Sequence, residues 1–252
     1  MNGELSAVAI KLLAFDRSLW LFTLRLMKRT TFLAVLGSFC YASVSQAAIL
    51  VSDNFDNVAS GAGINGRSED GVNFINEVND NSWVTNTTQI RGDGAGGLLA
   101  NPQYARNILL DMGAGYFVSN PGVYQISMDV TTPVGGTGDS WFGIGFTSAQ
   151  VDNEALNVLG ASPWLLYRNT GDVIAFAGPG ANYSYTTTAS QGATHNFVIQ
   201  LDTSGSQWLA TAFIDGAQLD MNIGNTSSEE FPYGTNPESI RYIGFSTGLN
   251  GD

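Results

Sequence analysis

The sequence is poor in the residues that build most metal centres and nucleophilic sites. Its 252 residues include one cysteine, Cys40, and one histidine, His195. Paired imidazoles, thiolate clusters and a disulfide framework are therefore excluded as the basis of a site or of stability. Cys40 also lies within the apolar segment described below, and we expect that segment to be removed. The mature protein would then contain no cysteine.

Positive charge is almost absent from most of the chain. Residues 48–252 contain five arginines, 20 acidic residues and no lysine, which gives a net charge of −15. Phosphate backbones and anionic lipid surfaces are bound mainly through lysine and arginine. We therefore exclude nucleic acid as a partner. The negative field favours cations and neutral ligands.

The remaining basic residues precede a short apolar run. Met27-Lys28-Arg29 is followed by uncharged, mostly apolar residues 30–42, and small residues stand at Ser45 and Ala47. This order is typical of a secretory signal peptide cleaved after Ala47. The run is shorter than the ~20 residues needed to cross a bilayer, and a retained signal anchor is the alternative.

Three segments follow from the leader pattern. Residues 27–47 are predicted to be the signal peptide, and residues 1–26 an extension upstream of the true translation start. Residues 48–252 are predicted to be the exported protein, secreted or held at the surface of a bacterial cell. We expect no stable membrane span in this mature part.

Downstream of the leader, apolar residues recur with a period of two. In 123–130 the apolar side chains alternate with Gln125, Ser127 and Asp129, which predicts a half-buried strand. Helix is expected at most as one turn around 152–159. The strands predicted from residue 48 onward are 49–55, 82–85, 107–112, 123–130, 141–147, 165–167, 173–177, 197–202, 208–214, 218–221 and 240–247.

The separators between these strands favour hairpins. Asp215-Gly216 is a dipeptide that tolerates positive φ in a two-residue turn. Many short strands without helical crossovers predict an antiparallel sheet arrangement. We therefore predict an all-β, antiparallel two-sheet β-sandwich of one domain.

The order of these segments resembles a known family. The segments that carry the resemblance are Asp53-Asn54-Phe55-Asp56, 108–112, 122–129, 141–146, Phe213-Ile214-Asp215-Gly216 and 240–246. They are similar to the concanavalin A-like or laminin-G-like jelly roll of secreted bacterial proteins, which often carries a PEP-CTERM sorting tail. Such chains usually end with a strand like the opening Asp-Asn-Phe and a Pro-Glu-Pro tail. This sequence ends at Asn250-Gly251-Asp252, so we expect a sandwich that lacks its closing strand or closes without it.

Catalytic constellations are not evident in the sequence. The resemblance implies that a glycan hydrolase is possible, because many sandwiches of this kind are glycan hydrolases. The Glu-x-Asp-x-x-Glu strand of laminarinase-like relatives is, however, absent. Glu229-Glu230 and Glu69-Asp70 lie in turn-rich segments, and His195 stands alone at the start of a strand. We predict no catalytic residues and a protein that is not an enzyme. A hydrolase or lyase is the third alternative.

Calcium is the one cofactor that the composition leaves open. Asp53, Asp56 and Asp139 are weak candidate ligands, because hard cations bind carboxylate and carbonyl oxygens. Their spacing matches no EF-hand loop. The competing interpretation is that they cap strand ends. We therefore predict no cofactor, with structural calcium as the alternative.

Aromatic residues beside polar ones are the best candidate ligand contacts. Sugar rings stack on Trp and Tyr, while Asn, Asp and Arg bond the hydroxyl groups. Gly143 and Gly145 are expected to leave a shallow floor beside Trp141. The competing interpretation places Trp141 and Trp164 in the core, where Trp83 and Trp208 are expected. The candidates are Trp141, Trp164, Tyr167, Arg168, Tyr183 and Tyr185.

These observations predict a non-catalytic protein that binds extracellular polysaccharide or surface matrix. The alternative is a structural cell-surface or matrix protein without a small-molecule site. The identity of the sugar and the oligomeric state do not follow from the sequence.

Overall fold

The computed structural model describes a set of residues that excludes most of the leader and several loops. The described residues are 4–5, 10–15, 48–53, 55, 58–64, 71–72, 83–85, 90–94, 98–100, 106–131, 141–149, 163–178, 181–186, 190–220, 231–232 and 239–248. The side chains are described for most of these residues. For strands at 4–5, 10–15, 48–53, 71–72, 181–186 and 231–232, only the backbone is described.

Nearly all regular structure is β-strand. The one helix among the described residues is the single turn α1, Tyr116–Ser119. The strands are β1 Glu4–Leu5, β2 Ile10–Phe15, β3 Ala48–Asp53, β4 Gly71–Val72, β5 Trp83–Val84, β6 Ile90–Gly92, β7 Leu98–Ala100, β8 Arg106–Asp111, β9 Val123–Thr131, β10 Trp141–Thr147, β11 Trp164–Arg168, β12 Asp172–Gly178, β13 Ala181–Thr186, β14 Thr194–Asp202, β15 Leu209–Ile214, β16 Ala217–Gln218, β17 Phe231–Pro232 and β18 Tyr242–Gly248.

Most of the described strands belong to two large antiparallel sheets. The seven-stranded sheet has the order β13-β12-β11-β10-β18-β8-β5, and the eight-stranded sheet the order β16-β15-β14-β9-β2-β3-β4 with β17 paired to β15. A third, small sheet has the order β1-β7-β6. The predicted all-β, two-sheet antiparallel sandwich is thereby confirmed.

The core lies between the two large sheets. In β9 and β14 every second residue is buried, as the period of two requires. The ring of Phe197 in β14 lies 6.1 Å from that of Phe142 in β10 and 5.4 Å from that of Tyr167 in β11. These contacts join the facing surfaces of the two sheets. Trp83 and Trp208 are also buried, as expected from the sequence.

The phenylalanine of the opening Asp-Asn-Phe segment, Phe55, is part of this core. Phe55 is fully buried although its φ of 57° lies in the left-handed region. Its ring packs 5.8 Å from Trp83 and 6.4 Å from Phe245. A non-glycine residue pays a steric cost in this conformation. Burial of the aromatic ring offsets that cost.

The predicted strands agree with the structure in place and mostly in length. The Asp215-Gly216 turn is confirmed, with φ values of 50° and 79° and pairing of β15 with β16. The elements that the sequence did not predict are the helical turn α1 and the strands β1, β2, β4, β6, β7, β13 and β17. The expected turn around 152–159 lies outside the described residues.

Part of the predicted extension 1–26 is a strand of the eight-stranded sheet. β2 lies between β9 and β3 and is antiparallel to both. The predicted extension 1–26 therefore contains residues that pair with the domain, while the predicted start of the exported chain at Ala48 stays a prediction. Among the described residues, no helix is long and apolar enough to span a membrane.

Candidate functional site

The outer face of the seven-stranded sheet combines tryptophan with glycine. Cross-strand partners in register share a face of a sheet. One row on the side away from the core runs Arg168, Trp141, Gly248, and the next runs Ile174, Leu166, Gly143, Ser246, Asn107. A third runs Phe176, Trp164, Gly145, Gly244, Leu109, and a fourth Thr147, Tyr242, Asp111. We call this surface the tryptophan face.

Glycines make room for Trp164 on this face. A β-carbon placed on Gly143 would lie 2.1 Å from Cζ3 of Trp164, and one placed on Gly145 would lie 2.3 Å from its Cβ. The indole therefore fills the space above the glycines of the neighbouring strand. Trp164 is fully buried in a small cluster with Leu109 and Leu166. The shallow floor expected above Gly143 and Gly145 is thus occupied, and the core interpretation holds for Trp164.

Trp141 lies beside this cluster and remains half-buried. A β-carbon on Gly248 would lie 2.3 Å from Nε1 of Trp141, so the indole extends over β18. The Trp141 ring meets the Trp164 ring edge to face, with centroids 5.8 Å apart and planes at 86°. Arg168 holds the register position on the other side of Trp141 and is also half-buried. A ring supported from below thus lies next to a cation at the margin of the tryptophan face.

A second polar group borders the same face. The Arg241 Nε donates to Oδ1 of Asp111 at 2.7 Å, and its Nη2 donates to Oδ2 at 2.5 Å. The guanidinium carbon also lies 5.2 Å from the centroid of the Tyr242 ring. The hydrogen bonds to Asp111 are the main cause that raises the pKa of Arg241, and burial of the ring is the main cause that raises the pKa of Tyr242. Bidentate pairing and stacking fix the guanidinium at the edge of the face.

The predicted ligand-contact residues fall on two different sides of the sheet. Trp141, Trp164 and Arg168 lie on the tryptophan face. Tyr167 is 1 % exposed and packs in the main core, so its expected exposure was wrong. The reason is alternation, because neighbouring residues of a strand point to opposite faces.

Tyr183 and Tyr185 occupy every second position of β13. The strand confirms that they share one side of the sheet. Their register partners are Ala175 and Val173, and Val173 is fully buried in the main core. The pairing therefore assigns positions 183 and 185 to the face opposite that of Trp141. A single surface combining them with Trp141 is not formed by this register.

The described carboxylates of the tryptophan face are too far apart to act as a glycosidase pair. They are Asp111 at β8 and Asp172 at β12, which are separated by four strand spacings, or roughly 19 Å. Retaining and inverting enzymes need carboxyl groups about 5–9.5 Å apart. Asp111 also accepts hydrogen bonds from Arg241 and from the Gly113 amide at 2.8 Å. Glu69, Asp70, Glu229 and Glu230 lie outside the described residues.

The calcium candidates are only partly described. Asp53 ends β3, and its side chain is not described. Asp56 and Asp139 lie outside the described residues. Within the described part of the chain, no group of three or more His, Cys, Asp or Glu residues is placed to hold a metal ion. No cofactor therefore stays the prediction, and structural calcium stays its alternative.

His195 has a structural setting between two turns. Its Nδ1 lies 2.7 Å from Oδ2 of Asp215, and its Nε2 lies 3.1 Å from the Ser190 carbonyl oxygen. Burial lowers the pKa of His195, but the hydrogen bonds with Asp215 and Ser190 and the charge of Asp215 raise it, and the net direction is upward. An imidazolium donates through both nitrogens and suits two acceptors. The ring therefore joins the turn before β14 to the β15–β16 hairpin.

The outer face of the other large sheet is a polar ladder. Asn196 Nδ2 donates to Oδ1 of Asp129 at 2.7 Å, and Gln200 Nε2 donates to Oε1 of Gln125 at 2.8 Å. The Thr211 hydroxyl donates to Oε1 of Gln200 at 3.0 Å. These groups bond to one another across β9, β14 and β15, so much of their hydrogen-bonding capacity is used within the sheet.

A cleft at one end of the sandwich is an alternative candidate site. Its volume is about 330 Å³, and it lies between the end of α1 and the β14–β15 loop, with Val118 and Trp208 among its lining residues. The Thr203 hydroxyl beside it accepts from the Gly122 amide at 3.0 Å and donates to the Gly122 carbonyl at 3.1 Å. Both hydrogen bonds of this hydroxyl are to the backbone of Gly122, so it stabilises the loop. We therefore place the candidate site on the tryptophan face.

Sequence reasoning missed Arg241 and Tyr242, which lie on the same face as Trp141 but at the other end of β10 and β18. The 240–247 strand was predicted, and alternation puts Tyr242 with Gly244 and Gly248 on one side. The pairing of β18 with β10 brings that side next to Trp141. No short-range signal in the sequence reports which strands become neighbours.

Comparison with known proteins yields no family. No protein-family model matches the chain, and no curated protein matches its sequence. Among solved structures, an endo-1,3-beta-glucanase from Streptomyces sioyaensis is similar with a TM-score of 0.40 and 16 % identity, covering 78 % of this chain and 95 % of that chain. Basic winged bean lectin with Tn-antigen has a TM-score of 0.38 and 11 % identity, covering 67 % of this chain and 77 % of that chain. The assignment of the fold rests on the sheets described above.

Proposed function

We propose that this protein is an exported, non-catalytic β-sandwich that binds a neutral extracellular carbohydrate polymer through the tryptophan face. The observation that carries the proposal is the half-buried indole of Trp141, supported by Gly248 and braced edge to face by Trp164. A fixed ring with an accessible part is the kind of surface on which the C–H face of a sugar stacks. Arg168, the register partner of Trp141, supplies hydrogen-bond donors for hydroxyl groups, and Arg241 supplies others at the opposite end of the face.

The charge of the chain supports a neutral ligand. With −15 over residues 48–252, a uronate or sulfate polymer meets long-range repulsion that a neutral glycan does not. Arg241 is paired with Asp111 and offers little net charge to an anion. Neutral polymers should therefore bind with weak dependence on salt, whereas acidic polymers should bind only as salt is raised.

The proposal excludes hydrolysis at this face because its described carboxylates are not a pair. The geometry of Asp111 and Asp172 is the supporting observation. A structural matrix protein without a small-molecule site is the second candidate, favoured by the polar ladder, whose side chains bond to one another. Binding of a glycan separates these two candidates, since only the first requires it.

The test is a glycan array probed with the purified full chain, followed by titration of the best neutral ligand. Trp141→Ala should weaken binding by about 1–3 kcal/mol, or roughly 5- to 150-fold in Kd, through loss of the ring face. The matched control is Phe213→Ala, which removes a half-buried ring from the outer face of the opposite sheet. Equal affinity of wild type and Trp141→Ala, or no ligand on the array, would contradict the proposal. Release of reducing ends from a bound polymer would contradict its non-catalytic part.

A further inference from the structure

Strand β2 lies in the interior of the eight-stranded sheet, which is not the sheet that carries the tryptophan face. β2 pairs with β9 over residues 11–15 and with β3 over residues 10–14. It is thus an internal strand, with four strands on one side of it and two on the other along the sheet. Backbone groups of both neighbours are bonded to a segment of the predicted extension 1–26.

The predicted leader cleavage falls between β2 and β3. Cleavage after Ala47 would leave β2 attached to the domain through sheet pairing alone. Loss of the segment would leave the facing edges of β3 and β9 without that partner, in the middle of a sheet. Unpaired edges of this kind readily accept another strand.

The register defines what such a strand must look like. Leu12 and Ala14 are opposite Ile126 and Tyr124, which are buried in the core. Lys11 is opposite Ser127, which is half-buried on the outer side. An occupant therefore needs apolar residues at alternate positions for the core side and tolerates polar residues at the positions between them.

Charge determines which polar residues suit the outward-facing positions of a strand in this site. Asp129 follows Ser127 on the outer face, one diagonal step from the position of Lys11. Residues 48–252 carry a net charge of −15, so their field attracts a strand with a basic residue at this position. An acidic segment would be repelled.

We propose that the position between β3 and β9 is a strand-accepting site, which in the exported protein binds an extended, basic and amphipathic segment of a partner protein. The main-chain pairing supplies the affinity, and the alternation of apolar and basic residues supplies the specificity. In the unprocessed chain, residues 10–15 occupy this site. The site belongs to the opposite sheet from Trp141, so it is independent of carbohydrate binding.

The test uses the full chain with a specific protease site inserted after residue 26. The probe is a fluorescent peptide with the sequence of residues 9–16, AIKLLAFD, whose uptake is measured by anisotropy before and after cleavage. Two control peptides carry Leu12→Pro, which blocks the ladder at a central position, or Lys11→Glu, which reverses the charge. Amide exchange of 123–127 reports whether the edge of β9 is paired.

The uncut chain should not take up the peptide, and the cut chain should take it up with protection of 123–127. The proline peptide should lose binding, and the Lys11→Glu peptide should bind more weakly. If the inserted site prevents folding, Leu12→Pro in the uninterrupted chain should take up the wild-type peptide in trans. The proposal is overturned by protection of 123–127 without peptide uptake once mass spectrometry shows that residues 1–26 have left the cut chain, because β3 has then closed onto β9. Equal uptake of all three peptides, or dimerisation of the cut chain without uptake, overturns it as well.

Discussion

The Cζ3 atom of Trp164 lies 2.1 Å from the point at which Gly143 would carry a β-carbon. The two residues belong to neighbouring strands, and the absence of one side chain makes room for the other. The tryptophan face is therefore built by complementary sizes across β10 and β11. Trp141 owes its position to the same arrangement, because it packs against the edge of Trp164.

Gly143→Ala should destabilise the protein through overpacking. The added methyl group cannot coexist with the indole of Trp164, and such clashes cost about 1–3 kcal/mol. Chemical denaturation should show this loss together with a change in tryptophan fluorescence. Gly63→Ala is the matched control, since a β-carbon there has no heavy atom within 4 Å and its φ is not positive. Equal stability of the two variants would show that Trp164 relaxes freely.

Trp164→Ala should reduce the free energy of unfolding by about 3–5 kcal/mol, the range for loss of a large buried side chain. This differs from the behaviour of an exposed stacking residue, whose removal weakens ligand binding alone. Thermal unfolding of Trp164→Ala beside Trp141→Ala measures the contrast. A normal Tm for Trp164→Ala together with lost glycan binding would show that Trp164 contacts the ligand and is not required for packing.

The pairing of Arg241 with Asp111 should contribute measurably to stability. Arg241→Met leaves the buried carboxylate of Asp111 with the Gly113 amide and without its bidentate partner, at a cost of about 2–3 kcal/mol. Adding Asp111→Asn removes the charge, so the double variant should lose less than the sum of the two single variants. A double-mutant cycle of urea unfolding measures this coupling. Strict additivity would show that the pair carries no interaction energy.

His195 should make stability depend on pH in a defined direction. Because its folded-state pKa is raised, its contribution is complete below the unfolded-state value of about 6.5 and is lost as pH rises through the folded-state value. Burial raises the pKa of Asp215, but its hydrogen bonds with His195 and the Asn196 amide and the charge of His195 lower it by more, so its contribution is present above the ordinary value of about 3.8 and is lost as pH falls through the lowered folded-state value. The Tm difference between wild type and His195→Asn should therefore be larger at pH 5 than at pH 9. A constant difference between those two values would contradict the role of the imidazolium.

The sequence predicts the strands of this fold better than their partners. β9 and β14 follow from alternating burial, which is a property of each strand by itself. The position of Trp164 does not, because both ligand contact and core packing suit a tryptophan at the start of a strand. The decision lies with Gly143 and Gly145 on the neighbouring strand. Tyr167 shows the same limit, since the face to which 164–168 turns its odd-numbered residues depends on the sheet that it joins.

Because β2 is an internal strand, it is synthesised well before one of its two partners, β9. Its partners in β9 follow it by 108 to 116 residues, and a ribosome adds about 5–20 residues per second, so β9 emerges roughly 5–20 s later. A two-stranded pair of β2 and β3 is at best marginally stable during that interval. Residues 10–15 therefore lack a stable partner and stay accessible to other proteins while the first half of the chain is made. They are held in place only when β9 pairs with them in the centre of the sheet.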